Sequence, residues 1–268
     1  MLGFGIWGPP SNGSMTEPTV LTEVMVAGGV IPMFEIPKWR EEFGVVAGVT
    51  GRGAEASDFD LGLASDDPTR VVLERWHRVE RAFERFPALV IGRQVHGTNL
   101  RWHAGTVGWT VVNGVDGHGT RERGILLAVS LADCIPVYLV DPVARAIALL
   151  HSGWKGTAAG ILQAGVGLLA ERAGSRVEDL VVHCGVGICG RCYQVGADVA
   201  GACGRPVNGG GRANLDLRGV ILDQAAAQGV RRRSVSSHCS AHMRDRFFSH
   251  RGSGGTDGRM VAFLGIEP

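Results

Sequence analysis

Three side chains of this chain could share one reaction centre: His96, Cys134 and His151. Two imidazoles and a thiolate form a His2Cys donor set, and zinc favours nitrogen and sulfur ligands. Catalytic zinc keeps three protein ligands and leaves a fourth position for water, hydroxide or a substrate oxygen. Water held there becomes a nucleophile near neutral pH. Copper binds such ligands at least as tightly. Without any metal, a thiolate beside an imidazole is itself a nucleophile. Taken singly, each residue could equally be plain core, so spacing alone leaves these readings open. Asp133 adjoins Cys134. Neighbours on a strand face opposite ways, so Asp133 reads either as an acid–base group or as a residue that orients a ligand or caps a turn. Asp116 has the same two readings.

Cys184, Cys189 and Cys192 form a second grouping with C-x4-C-x2-C spacing, which iron–sulfur ferredoxins also use. Cys203 or Cys239 could supply a fourth thiolate. A cluster or a structural metal is readable there, but the glycine-rich surroundings equally suit a substrate loop, and three free thiols are expected. His77 reads as a surface residue. His103, His118, His183 and His238 have no partner pattern and receive no role.

The candidate ligands need rigid elements, and the sequence places each where an apolar strand ends. Ala88 to Arg93 reads as a strand leading to His96. Ile125 to Val129 leads to Cys134, with Pro136 to Val140 continuing extended, and Ala146 to Leu150 ends at His151. Val72, Trp76, Val79, Phe83 and Phe86 recur at helical spacing after Asp66-Asp67-Pro68, predicting a helix over 68–86. A second helix is expected over 157–173, and a shorter one starting at Asp216 as N-cap. Alternating strands and helices argue α/β or α+β, with residues 1–20 as a flexible tail and 21–268 as one domain.

The chain has 268 residues, 45% of them hydrophobic, enough to bury a sizeable core. A net charge of +1 gives no electrostatic case for nucleic acid or an anionic membrane. No apolar run reaches the roughly 18 residues of a membrane span, and no basic start precedes an apolar segment, so a cytoplasmic protein without a signal peptide is expected. Its 6 cysteines then read as thiols or ligands rather than disulfides.

Gln94-Val95-His96-Gly97, Leu131-Ala132-Asp133-Cys134-Ile135-Pro136-Val137 and His151-Ser152-Gly153-Trp154-Lys155-Gly156 resemble three blocks of the YfiH/DUF152 (laccase-domain) family. There they read QVHG, TADCxPV and HAGWRG, in this order. Val115-Asp116-Gly117, Asn214-Leu215-Asp216-Leu217, Arg246-Phe247-Phe248-Ser249-His250-Arg251 and Thr256-Asp257-Gly258-Arg259-Met260 resemble further blocks. Other segments depart. Val186, Arg191 and Gln194 replace the proline, a cysteine and the glutamate of a GPxIGxCCYEV block, and a CTxCHPDRFF-like segment has His242, Met243 and Arg244 out of pattern.

The resemblance implies a mixed β-sheet sandwich flanked by helices, a fold also similar to that of a cysteine-hydrolase toxin family. It implies zinc on His96, Cys134 and His151. The activities implied are phosphorolysis of purine nucleosides and hydrolytic deamination of adenosine. Phosphate would then be a co-substrate, held by the metal with Arg52 or Arg251; the acid–base group is left open, with Asp133 the candidate carboxylate beside its orienting or capping reading. Gln94, Trp154, Tyr193 and Phe248 would line the substrate site. The zinc signature of cytidine-type deaminases, H-x-E with P-C-x-x-C, is absent. Three alternatives stand beside this reading: a copper-dependent polyphenol oxidase, a metal-free cysteine hydrolase, and a binding module that keeps zinc for structure. A fourth protein ligand closing the site would favour the last.

Overall fold

The computed structural model describes residues 17–53, 59–63, 67–207, 209 and 211–268. Among these, two seven-stranded mixed sheets pack face to face. One runs in the order Thr19–Leu21, Arg232–Ser236, Val181–Cys184, Ile135–Asp141, Ala146–Ser152, Gly117–Thr120, Leu100–His103. The other runs Val24–Met25, Met33–Glu35, Val45–Thr50, Met260–Ile266, Ile125–Leu131, Ala88–Arg93, Gly108–Asn113. Their central strands are continuous apolar runs because both faces are covered. Tyr138, Val140, Ile147 and Leu149 of the first sheet meet Val49, Val90, Leu127 and Leu264 of the second in the inter-sheet core.

Alternate residues of the same strands face outward onto helices, as a period of two requires. Val137, Leu139, Ala148 and Leu150 pack against Ile161, Leu162, Val166 and Leu169 of helix Ile161–Ala173 and Ile221 and Ala225 of helix Leu217–Ala227. On the far side, Ile91, Leu126 and Phe263 pack against Val72, Trp76 and Val79 of helix Thr69–Ala82. The result is a helix–sheet–sheet–helix sandwich, the mixed architecture expected from the sequence.

Element boundaries differ in three places. The first helix stops at Ala82 rather than at 86, because Pro87 disfavours helical geometry at Phe86 and a turn from Phe83 to Phe86 takes over. The second helix is two, Trp154–Ala158 and Ile161–Ala173, broken at Gly160, which sits at φ +85° in the left-handed region glycine tolerates. Thr19–Leu21 is a strand paired in parallel with Ser234–Ser236, so ordered chain begins ahead of residue 21; the rest of the expected tail, residues 1–16, and Asp66 lie outside the described residues. No helix among the described residues is long and apolar enough to cross a membrane.

Two histidines given no role in the sequence meet inside the fold. His103 Nε2 and His118 Nδ1 lie 2.9 Å apart, both rings buried. Burial, and then the positive charge of Arg101, depress His103 to about 4. Burial, and then His103, depress His118 to about 3.

Candidate metal centre and its surroundings

Cys134 directly precedes strand Ile135–Asp141, and His151 lies on the antiparallel neighbour, Ala146–Ser152, opposite Pro136. His96 comes from the loop after strand Ala88–Arg93. The three ligand atoms all lie within 4.8 Å of one another. The two imidazoles meet edge to face, centroids 4.8 Å apart. This nitrogen–nitrogen–sulfur set fits zinc, and among the described residues the group comprises three donors, as an open catalytic site requires.

Asp116 organises the centre. Its fully buried carboxylate accepts from His151 Nδ1–H at 3.1 Å and from the backbone N–H groups of Val95, His96 and Gly97 at 2.8–3.2 Å. Fixing the proton on Nδ1 leaves His151 Nε2 as the donor atom. The same grip holds His96 at φ +60°, an uncommon backbone state for a non-glycine residue. Burial alone would raise the Asp116 pKa, but the bonds from His151 and the loop amides hold it below the usual range. Of the two readings of Asp116, the orienting one matches this geometry.

Burial also disfavours a thiolate at Cys134, yet the charge of His151 and hydrogen bonds from both imidazoles bring it down to about 6. Burial pulls His151 down, but Cys134 and then Asp116 outweigh it and hold the ring at about 9. Both shifts favour a thiolate on Cys134 paired with a protonated His151. Gly153 leaves room beside the ligands: a Cβ there would lie 3.0 Å from His96 Cδ2 and 3.1 Å from Cys134 Sγ.

The remaining predicted residues separate into two groups. Tyr193 lies close enough to Cys134 to feel its charge, and Arg251 lies against Tyr193. Burial and then the nearby Cys134 charge push the Tyr193 hydroxyl up to about 12, with Arg251 opposing. The Arg251 guanidinium lies 5.0 Å over the Tyr193 ring and donates to Gln194 O at 2.7 Å. Trp154, half-buried, opens the short helix after Gly153.

Four others hold structure. Asp133 is no exposed acid or base. Its Oδ1 accepts from Ser240 Oγ at 2.7 Å and Ser249 Oγ at 2.6 Å, and its Oδ2 from Arg251 N at 2.6 Å. Gln94 is not free for substrate either, because its amide both donates to Ser130 O and accepts from Ser130 N, each at 2.7 Å. Arg52 is 8% exposed, ion-paired with Asp257 at 2.5 Å, and stacked 4.5 Å over Phe248. Phe248, 1% exposed, belongs to the inter-sheet core rather than to a base-binding surface. A cleft of about 620 Å³, lined in part by Cys189, Arg191 and Asp216, includes none of the three ligands.

Sandwich and three-donor centre together define a laccase-domain protein. Residues 46–267 match the family described as multi-copper polyphenol oxidoreductase laccase, and the chain belongs to it. It is 36% identical over 248 residues to "Purine nucleoside phosphorylase YlmD" of Geobacillus stearothermophilus, covering 83% of this chain and 90% of the relative. It is 32% identical over 248 residues to "Adenosine deaminase RL5" of an unknown prokaryotic organism, covering 84% and 93%. The crystal structure of YlmD from Geobacillus stearothermophilus superposes with a TM-score of 0.83 at 32% identity, covering 92% of this chain and all of that one.

Proposed function

We propose that the chain is a zinc-dependent purine nucleoside phosphorylase. The observation that carries this reading is the three-donor set of His96, Cys134 and His151, oriented by Asp116; Tyr193, near the Cys134 charge, carries the guanidinium of Arg251 over its ring. His96 and His151 nitrogens and the Cys134 thiolate would hold the ion. When bound, it supplies a Lewis acid that neutralises phosphate charge and polarises a substrate oxygen.

This chain's own residues do the rest. Phosphorolysis develops positive charge on the ribose and requires a phosphate anion held in line beside it. Arg251 provides a fixed cation for that anion, its fork anchored to Gln194 O and to the Tyr193 face. Tyr193, kept protonated by burial and the adjacent thiolate, presents a hydroxyl donor and an aromatic surface for a ribose or a base. Asp133 positions Arg251 from behind through its backbone N–H. The names of the relatives, a phosphorylase and an adenosine deaminase, support the same substrate class.

The test incubates metal-assayed protein with inosine, adenosine and methylthioadenosine, with and without phosphate. Free base and sugar phosphate that appear only with phosphate are the expected products. Inosine and ammonia from adenosine without phosphate would make it a deaminase. No turnover by zinc-loaded protein would leave a binding module, and turnover that survives removal of all metal would favour the cysteine nucleophile.

A further inference from the structure

A second group of donors lies outside the centre just described. Among the described residues, two clusters of His, Cys, Asp or Glu bring their ligand atoms together, and the second is Cys189, Cys192, Cys239 and His242. We infer that these four side chains form a separate Cys3His site for one structural zinc ion.

The sequence spacing is that of two short ligand turns, C-x2-C at Cys189-Gly190-Arg191-Cys192 and C-x2-H at Cys239-Ser240-Ala241-His242. Each turn lets its two side chains point the same way. Cys192 N–H and Tyr193 N–H donate back to Cys189 O at 3.0 and 3.1 Å, and Met243 N–H donates to Cys239 O at 3.0 Å. The turns are then docked together. Gly187 and Cys239 pair as an isolated parallel bridge, and Ser240 N–H donates to Gly187 O at 3.0 Å. Cys189 N–H donates to Cys239 Sγ at 3.3 Å, a bond that stabilises a thiolate.

Distances match a single ion. The four ligand atoms, one from each residue, all lie within 4.8 Å of one another; the His242 ring sits between the two thiols of the first turn, Nε2 3.1 Å from Cys192 Sγ and Nδ1 3.8 Å from Cys189 Sγ, and one of these nitrogens would ligate. A tetrahedron with metal–sulfur bonds near 2.3 Å has corners roughly 3.8 Å apart. Four sulfur and nitrogen donors in a closed set suit zinc, and four protein ligands leave no open position, which is the mark of a structural site. Cys184, which the sequence grouped with these thiols, is buried in the strand Val181–Cys184 and takes no part.

The position gives the ion a task. Tyr193 follows Cys192 directly, and Arg251 lies on the segment that follows His242. Both turns also bind Asp133, through Ile188 N–H to its carbonyl at 2.9 Å and Ser240 Oγ to its carboxylate at 2.7 Å. An ion bridging the turns would therefore staple the two loops that present Tyr193 and Arg251. The inference does not depend on the nucleoside reading, because it concerns metal content.

The experiment counts metal per chain in protein produced with ample zinc and freed of loose ions. Wild type is expected to hold two zinc ions. Cys134→Ala and the double variant Cys189→Ser/Cys192→Ser should each hold one. His242→Cys should keep two, since a thiolate replaces the imidazole. Cobalt substituted into Cys134→Ala should give the intense visible bands of a tetrahedral thiolate site, which decides the matter even where the double variant fails to fold. One zinc in wild type, abolished by Cys134→Ala, would overturn the site. So would isolation of a Cys189–Cys192 disulfide, or full metal content in the double variant.

Discussion

Asp116 accepts the Nδ1 proton of His151 while gripping three consecutive backbone N–H groups of the loop that carries His96. One carboxylate thus sets the tautomer of one ligand and the backbone of another. Asp116→Asn would place amide hydrogens against three N–H donors and weaken the acceptor for His151. Carboxylates in this role typically contribute 10- to 100-fold in metal affinity. Competition with a chromogenic chelator should therefore show a loss of about 10- to 100-fold for zinc. Wild-type affinity in Asp116→Asn would remove the carboxylate from the account.

Gly153 separates two ligands by having no side chain. Its added Cβ would approach His96 Cδ2 and Cys134 Sγ more closely than most real Cβ contacts, so one of them must shift. Gly153→Ala should lower zinc occupancy while leaving circular dichroism and the melting transition of the metal-free protein near wild type. Undiminished zinc with unaltered affinity would show that the ligands have room to spare.

The sequence disclosed the candidate donors and the layers but not the wiring between them. His96 and Cys134 follow strands, and His151 lies near the end of one, whose continuous apolar character is visible in one dimension, and the blocks around them are specific. Asp116 was legible as one residue of a block, but its orienting task depends on strand Gly117–Thr120 lying beside strand Ala146–Ser152, a pairing no local pattern encodes. Gln94, Asp133, Arg52 and Phe248 carry the residue types of a site and spend them on partners up to 205 residues away, as between Arg52 and Asp257. The C-x2-H spacing at Cys239 and His242 was the available signal for the second donor group. Cys184 obscured it by completing a different spacing.

Part of the acid sensitivity should come from His103 and His118. Unfolded, each ring takes up a proton near pH 6.5, whereas in the fold they resist protonation down to about 4 and about 3. Between those limits the unfolded chain binds more protons, so stability falls as pH falls below about 6.5 and is fully present above it. Two such rings correspond to roughly 1–3 kcal/mol lost per pH unit. Denaturant unfolding of Cys134→Ala, a background without the Cys134 titration near pH 6, should show this slope between pH 6.5 and 5. Replacing both rings by Gln in that background should flatten it, and an unchanged slope would assign the acid sensitivity elsewhere.

Arg251 and Asp133 meet through a backbone bond, and their variants should behave differently. The Arg251 side chain reaches Gln194 O and the Tyr193 ring, while its backbone N–H is held by Asp133 Oδ2. Arg251→Ala removes the guanidinium and keeps the backbone anchor. Phosphorolysis should fall about 10²–10³-fold, the usual consequence of deleting one charge-stabilising donor. Zinc content should not change, and added guanidinium should restore part of the rate. Asp133→Asn leaves the guanidinium in place but turns an amide donor toward Ser240, Ser249 or Arg251 N, so the loop carrying Arg251 loses its fixed position. That variant should melt at a lower temperature and turn over more slowly, with the shape of its pH–rate profile retained. A general base at Asp133 would instead take one limb of that profile with it when replaced by Asn. Loss of that limb without a change in melting temperature would return Asp133 to the chemistry and leave Arg251 as its neighbour.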